Sequence, residues 1–177
     1  MLADHGGRGL SHRKVDDAAN VPDGTTSFYF RTSSALLRAV AERVTELDLD
    51  DLTSVSRTRD NPSTPSRLAQ IVFSASKEPG LARTKARYEL ALAASRDPVM
   101  AQTLQQSTVL FMELGRDAIL TLHPADSAPG EELLDDQTVA AMMFINGVMF
   151  GFARGDHPIR SAAQLDRYLA GIVSGIT

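Results

Sequence analysis

The chain has 177 residues, no cysteine and a formal net charge of −4. That length supports one substantial core, or a core with a small appended domain. The missing cysteine excludes disulfides and thiolate metal sites and suits a reducing cytoplasm. No apolar run is long enough to span a bilayer, residues 142–152 being too short and interrupted by Asn146, and the first residues lack the basic-then-apolar order of a signal peptide.

In chain order the pattern is helical throughout. Residues 1–5 precede a Gly6-Gly7 break. Residues 11–19 form a short helix, with Ser11 as an N-cap whose hydroxyl accepts an orphan backbone N–H. A Pro22-Asp23-Gly24 turn opens a second short segment that ends in Phe28, Tyr29 and Phe30. After a polar break at residues 31–34, Thr32 or Ser33 caps a long helix, in which Leu36, Leu37, Val40, Val44 and Leu47 recur at helical spacing. Residues 57–65 are polar, contain Pro62 and Pro65, and read as a linker. Thr64-Pro65 restarts a helix with Leu68, Ile71, Val72 and Ala75 on one face, and Pro79-Gly80 breaks it. A helix over 81–95 follows. Asp97-Pro98 then supplies the N-cap and first turn of a helix reaching Leu122. Beyond a loop at 123–130, Asp135 or Asp136 opens a helix to Ala153, closed by Gly155 and Pro158. Ser161 caps the last helix, whose Leu165, Tyr168, Leu169, Ile172, Val173 and Ile176 form one stripe. No internal repeat, low-complexity tract or useful β-alternation is visible.

Two short helices joined by a tight turn, with small hydroxyl residues and aromatics on the second, have the sequence form of a helix-turn-helix DNA reader. Residues 10–40, LSHRKVDDAANVPDGTTSFYFRTSSALLRAV, resemble the DNA-binding domain of the TetR family of transcriptional regulators, with Val21, Gly24, Thr25, Tyr29, Phe30, Leu36 and Leu37 on matching positions. Ser33 stands where the family often has a lysine, and Arg31 is placed to make that phosphate contact; Ser27 replaces the first family tyrosine and Phe28 follows it. Family members carry a full first helix where this chain has residues 1–5, so the reader is expected to be truncated and loosely held. The resemblance covers about the first fifth of the chain; the rest agrees in being helical and of suitable length.

The resemblance implies an all-α fold with an N-terminal helix-turn-helix reader, residues 1–45, and a C-terminal helical bundle domain, residues 46–177, for ligand binding and dimerisation. The boundary falls inside the long helix near residue 45. The reader's charge is nearly balanced, Arg8, Arg13, Lys14, Arg31, Arg38 and Arg43 facing Asp4, Asp16, Asp17, Asp23 and Glu42, so its phosphate-contacting charge must be local. The expected partner is double-stranded DNA carrying a pseudo-palindromic operator. The expected DNA-binding residues are Ser11, His12, Arg13, Asp23, Gly24, Thr25, Thr26, Ser27, Tyr29 and Arg31. The slim polar start of the second helix, residues 24–27, suits entry into the major groove, Tyr29 reaches a phosphate, and Phe30 anchors the core.

Residues 142–152, MMFINGVMFGF, are apolar nearly all round, which demands burial on every face. Together with the last helix they point to a homodimer with a four-helix interface. It is expected to use Phe144, Gly147, Val148, Gly151, Leu165, Tyr168, Leu169, Ile172, Val173 and Ile176, with the two glycines admitting a partner helix. An effector pocket among the middle helices has Phe73, Tyr88, Phe111, Met112, Met143, Asn146 and Phe150 as candidates, methionines and aromatics adapting to varied apolar shapes and Asn146 orienting the ligand. For each of these, ordinary core packing is the plainer alternative. His5, His12, His123 and His157 lack metal-ligand spacing, and the pairs Asp16-Asp17 and Asp135-Asp136 diverge on a helix and suit solvated faces or caps. No cofactor and no catalytic residue is expected. The sequence therefore predicts a cytoplasmic, homodimeric TetR-like repressor released from its operator by a small apolar or amphipathic effector. The alternative is a helical ligand-binding dimer that no longer binds DNA.

Overall fold

The computed structural model describes residues 1–56, 64–124 and 128–177, the side chains of residues 55, 56, 103, 106 and 107 lying outside the description. Every regular element among them is helical: α1 (Leu2–His5), a 3-10 turn (Gly7–Gly9), α2 (His12–Ala19), α3 (Thr25–Tyr29), α4 (Ser33–Ser56), α5 (Arg67–Ser74), α6 (Gly80–Ala94), α7 (Pro98–Leu120), α8 (Glu131–Arg154) and α9 (Ala162–Gly175). None of the described helices is long and apolar enough to cross a membrane.

The helix starts follow the chemistry of their caps. Ser11, Ser66, Asp97 and Ser161 each accept a hydrogen bond from a backbone N–H in the first turn they precede. Asp97 takes two, from Val99 at 3.0 Å and Met100 at 3.1 Å, and Pro98 occupies the first turn. Two expected starts move. α5 begins at Arg67 with Ser66 as cap, two residues after Pro65. α8 begins at Glu131, a turn before Asp135, because Glu131 and Glu132 place negative charge on the N-terminal dipole without a side-chain cap. It ends where expected, at Gly155 in the left-handed region with φ 87°. Part of the expected linker, residues 57–63, and residues 125–127 of the expected loop lie outside the described residues.

Two apolar clusters hold the helices. In the larger, Leu68, Ala69 and Val72 of α5 meet Leu134, Ala141, Ile145, Val148 and Phe152 of α8 and Leu165, Leu169 and Val173 of α9, with Leu52 of α4 and Ala118 and Ile119 of α7 closing it. The smaller joins Ala41 of α4, Ala86, Leu90 and Ala94 of α6 and Met100 of α7 with Leu2 of α1, while Leu37, Val40 and Val44 pack against it. α1 therefore rests on α6 and does not cover the α2–α3 hairpin. Phe30, expected as the reader's core anchor, is only half-buried and joins neither cluster. α4 runs unbroken through residue 45.

Buried polar groups tie the ends together. Gln137 of α8 donates to the carbonyls of Val173 at 2.8 Å and Ile176 at 3.2 Å, satisfying the last turn of α9, while its Oε1 meets His123 Nε2 at 2.8 Å.

Candidate functional site

α2 and α3 form a hairpin whose corner is fixed by one buried carboxylate. Asp16, only 1% exposed, reaches from the middle of α2 across the turn. Its Oδ2 accepts from Gly24 N–H at 2.8 Å, its Oδ1 from Thr26 N–H at 2.7 Å, and the Thr26 hydroxyl donates to Oδ1 as well. Asp16 thus does for α3 what an N-cap does, from another helix. The turn suits it: Asn20 closes α2 in the left-handed conformation at φ 53°, and Gly24 takes φ 93°, which favours a residue without Cβ. The Thr26 hydroxyl, aided by the two backbone N–H groups and the charge of His12, holds the Asp16 carboxyl below its ordinary range against the opposing effect of burial. A third tie closes the hairpin, between His12 Nε2 and the Phe30 carbonyl at 2.6 Å.

This arrangement sorts the expected DNA-binding residues. Arg13, Asp23, Ser27, Tyr29 and Arg31 are exposed, Tyr29 by 71%, and Thr25 is half-buried with its hydroxyl on the Pro22 carbonyl at 2.6 Å. Ser27 donates to the Gly24 carbonyl at 2.9 Å, and Phe28, 69% exposed, meets Tyr29 edge to face. Ser11 is occupied as a cap and His12 by Phe30. Thr26 is corrected: it is buried and spent on Asp16, so it cannot read a base edge. Asp16, expected on a solvated face or as a cap, is buried and caps α3 from α2, which no local pattern signals; Asp17 is exposed. A buried acceptor is legible only once the turn folds Gly24 and Thr26 back onto α2.

α4, α5, α6, α7 and α8 enclose a cavity of about 370 Å³. Leu52, Leu68, Ile71, Phe111, Met112 and Met142 give it an apolar wall, and Asp48, Asp51, Arg83 and Arg87 are its charged lining residues among those described. Arg87 of α6 grips Asp48 of α4 with two bonds of 2.6 Å, from Nε to Oδ2 and from Nη2 to Oδ1. Arg83 Nε lies 3.3 Å from Asp48 Oδ1, and Arg83 also pairs with Asp51. Of the expected pocket residues, Phe111, Met112, Met143 and Asn146 line the cavity. Phe73, Tyr88 and Phe150 do not. Phe73 packs against the larger core beneath Lys77, and Tyr88 stacks edge to face on Phe150 and donates its hydroxyl to the Asn146 carbonyl at 2.8 Å. Burial pushes the Tyr88 phenol up from its ordinary value.

The chain matches no family model, no curated protein and no solved structure.

The surface of α8 and α9 divides the expected dimer residues. Val148, Leu165, Leu169 and Val173 are corrected: they are buried within the single chain, so the stripe read on the last helix faces its own core. Gly151 lies against Pro158 of the same chain, where a Cβ would sit 3.4 Å from the ring, so its close approach is intramolecular. Phe144, Ile172 and Ile176 are half-buried. What α8 presents outward is Val139, Met143, Gly147 and Phe150, one face at helical spacing, beside Tyr168 of α9, whose ring meets Phe144. Among the described residues, a Cβ on Gly147 would meet no atom within 4 Å beyond its chain neighbours and its own helix backbone. Among the described residues no cluster of three or more His, Asp or Glu has a metal-binding arrangement.

Proposed function

We propose that the protein is a TetR-like transcriptional regulator, a repressor that binds a pseudo-palindromic operator as a homodimer and is released by a small effector. The observation that carries this reading is the α2–α3 hairpin with its corner locked by Asp16. With that lock Ser27, Tyr29, Arg31 and Arg13 are exposed at the surface, a slim polar helix start flanked by donors to phosphate. The outward apolar face of Val139, Met143, Gly147 and Phe150 supports a dimer, and the cavity behind α4 supports an effector site. α4 joins the two. Asp48 lies fifteen residues beyond Ser33, roughly 22 Å along the helix axis at 1.5 Å per residue, so a shift at the cavity end reaches the reader. A ligand that binds one arrangement of α4 better shifts the pair of readers away from successive major grooves, about 34–36 Å apart. The reading assigns no catalytic residue and no cofactor.

The alternative, a ligand-binding helical dimer that has lost DNA binding, is favoured by one observation: α1 packs on α6 and leaves Phe28 and Tyr29 exposed. Selection of duplexes from a randomised pool by the full chain separates the two. The regulator enriches an inverted repeat with half-sites about one helical turn apart; the alternative enriches no sequence.

A further inference from the structure

We infer that the cavity takes an amphipathic carboxylate, its headgroup on Arg87 and its hydrocarbon among Leu68, Phe111, Met112 and Met142. This rests on the effector-site part of the proposed function and names the class of ligand.

The sign of the ligand follows from which hydrogen-bonding groups at the cavity wall are already used. Both Asp48 oxygens are taken, Oδ2 by Arg87 Nε and Oδ1 by Arg87 Nη2 and Arg83 Nε, and Asp51 is held by Arg83. Arg87 Nη1 is different. Its partner among the described residues is the Met149 sulfur at 3.7 Å, a weak acceptor for a charged donor. Arg87 is also within reach of a ligand, its side chain 28% exposed against 7% for Asp48, while the more exposed Asp51, at 41%, is held by Arg83. A donor without an oxygen partner, carrying positive charge and bordering an apolar cavity, calls for an oxyanion with an apolar tail. A cation would find both carboxylates already paired with guanidinium groups.

Release follows from the same geometry. A carboxylate on Arg87 Nη1 shares the one guanidinium charge with Asp48 and weakens the Asp48 bonds to Nε and Nη2. A buried Asp48 less fully compensated gains by regaining water, and the route is movement of α4 away from α6. Ligand and α4 thus bind Arg87 in opposition.

Isothermal titration calorimetry of the full chain with octanoate, octan-1-ol and octylamine tests this. Octanoate should bind at least about tenfold more tightly than the alcohol, and the amine more weakly than either. In Asp48→Asn/Arg87→Gln, which removes both charges and leaves polar amides in their place, the octanoate-to-octanol preference should fall to about one; circular dichroism checks that the variant is folded. Equal binding of acid and alcohol by the wild type, tighter binding of the amine, binding of none of the three, or a preference retained in the folded double variant would each overturn the inference. A parallel titration with selected duplex keeps the two proposals apart. A chain that binds duplex without carboxylate preference loses only this inference, and one that prefers the carboxylate but ignores duplex keeps it while losing the regulator reading.

Discussion

Asp48→Asn should destabilise the protein by about 3 kcal/mol. The side chain is 7% exposed and receives both arms of Arg87 as well as the Nε of Arg83. Removing one partner of a buried ion pair costs roughly 3–5 kcal/mol, because the other charge is left without compensation. The lower end applies because the Arg87 side chain, 28% exposed, can partly rehydrate. The same physics makes the paired change different in kind. Asp48→Leu/Arg87→Met removes both charges, leaves Arg83 its Asp51 partner, and should fall within about 1 kcal/mol of wild type or above it. Urea unfolding of the full chain at fixed protein concentration, followed by far-ultraviolet circular dichroism, gives both values. A loss below about 1 kcal/mol for the single variant would class the pair with solvated surface bridges. The coupling of α4 to α6 through Asp48 would then have no energetic basis.

Three further outcomes are expected. Tyr29→Phe and Arg31→Ala should each weaken operator binding by about fivefold or more through a lost phosphate contact, with helicity unchanged, as read by fluorescence anisotropy; wild-type affinity in both would remove the assignment of that face. Gly147→Leu meets only open space within one chain, so it should leave the fold intact or slightly firmer while shifting a dimer to monomer in sedimentation; an unchanged dimer would place the interface elsewhere. Asp16 titrates below its ordinary value of about 3.8, so its contribution is full above that value and is lost as pH falls through the lower folded one. Amide exchange across residues 12–30 should therefore accelerate selectively as pH falls below about 4, after correction for intrinsic rates, and Asp16→Asn should abolish that selective change; retention of it would assign the lock to another group.

Local chemistry was legible in the sequence, and the direction of helix faces was not. Ser11, Asp97-Pro98, Ser161 and Gly155 act through backbone groups a few residues away, so their roles follow from spacing alone. The α9 stripe illustrates the opposite case. Leu165, Leu169 and Val173 share a face with Tyr168 and Ile172 in the pattern, yet periodicity does not say whether that face meets its own chain or a partner, and here the first three are core. Asp16 and Gln137 were hidden for a related reason: each satisfies backbone groups in another element, eight to ten residues away for Asp16 and thirty-six or more for Gln137. The ion cluster at Asp48 and Arg87 spans thirty-nine residues and carries no local signal. The candidate cavity was half legible, Phe111, Met112, Met143 and Asn146 lining it while Phe73, Tyr88 and Phe150 pack outside.

Equilibrium titration of a labelled, selected duplex with the full chain, repeated across a range of salt, bears most directly on the central claim. The account predicts saturable binding of two chains per duplex. The logarithm of the affinity should fall linearly with the logarithm of salt, by roughly 0.9 per phosphate contact, and a scrambled duplex should bind at least about a thousandfold more weakly. Equal affinity for selected and scrambled duplexes, or no binding at micromolar protein and low salt, would contradict it.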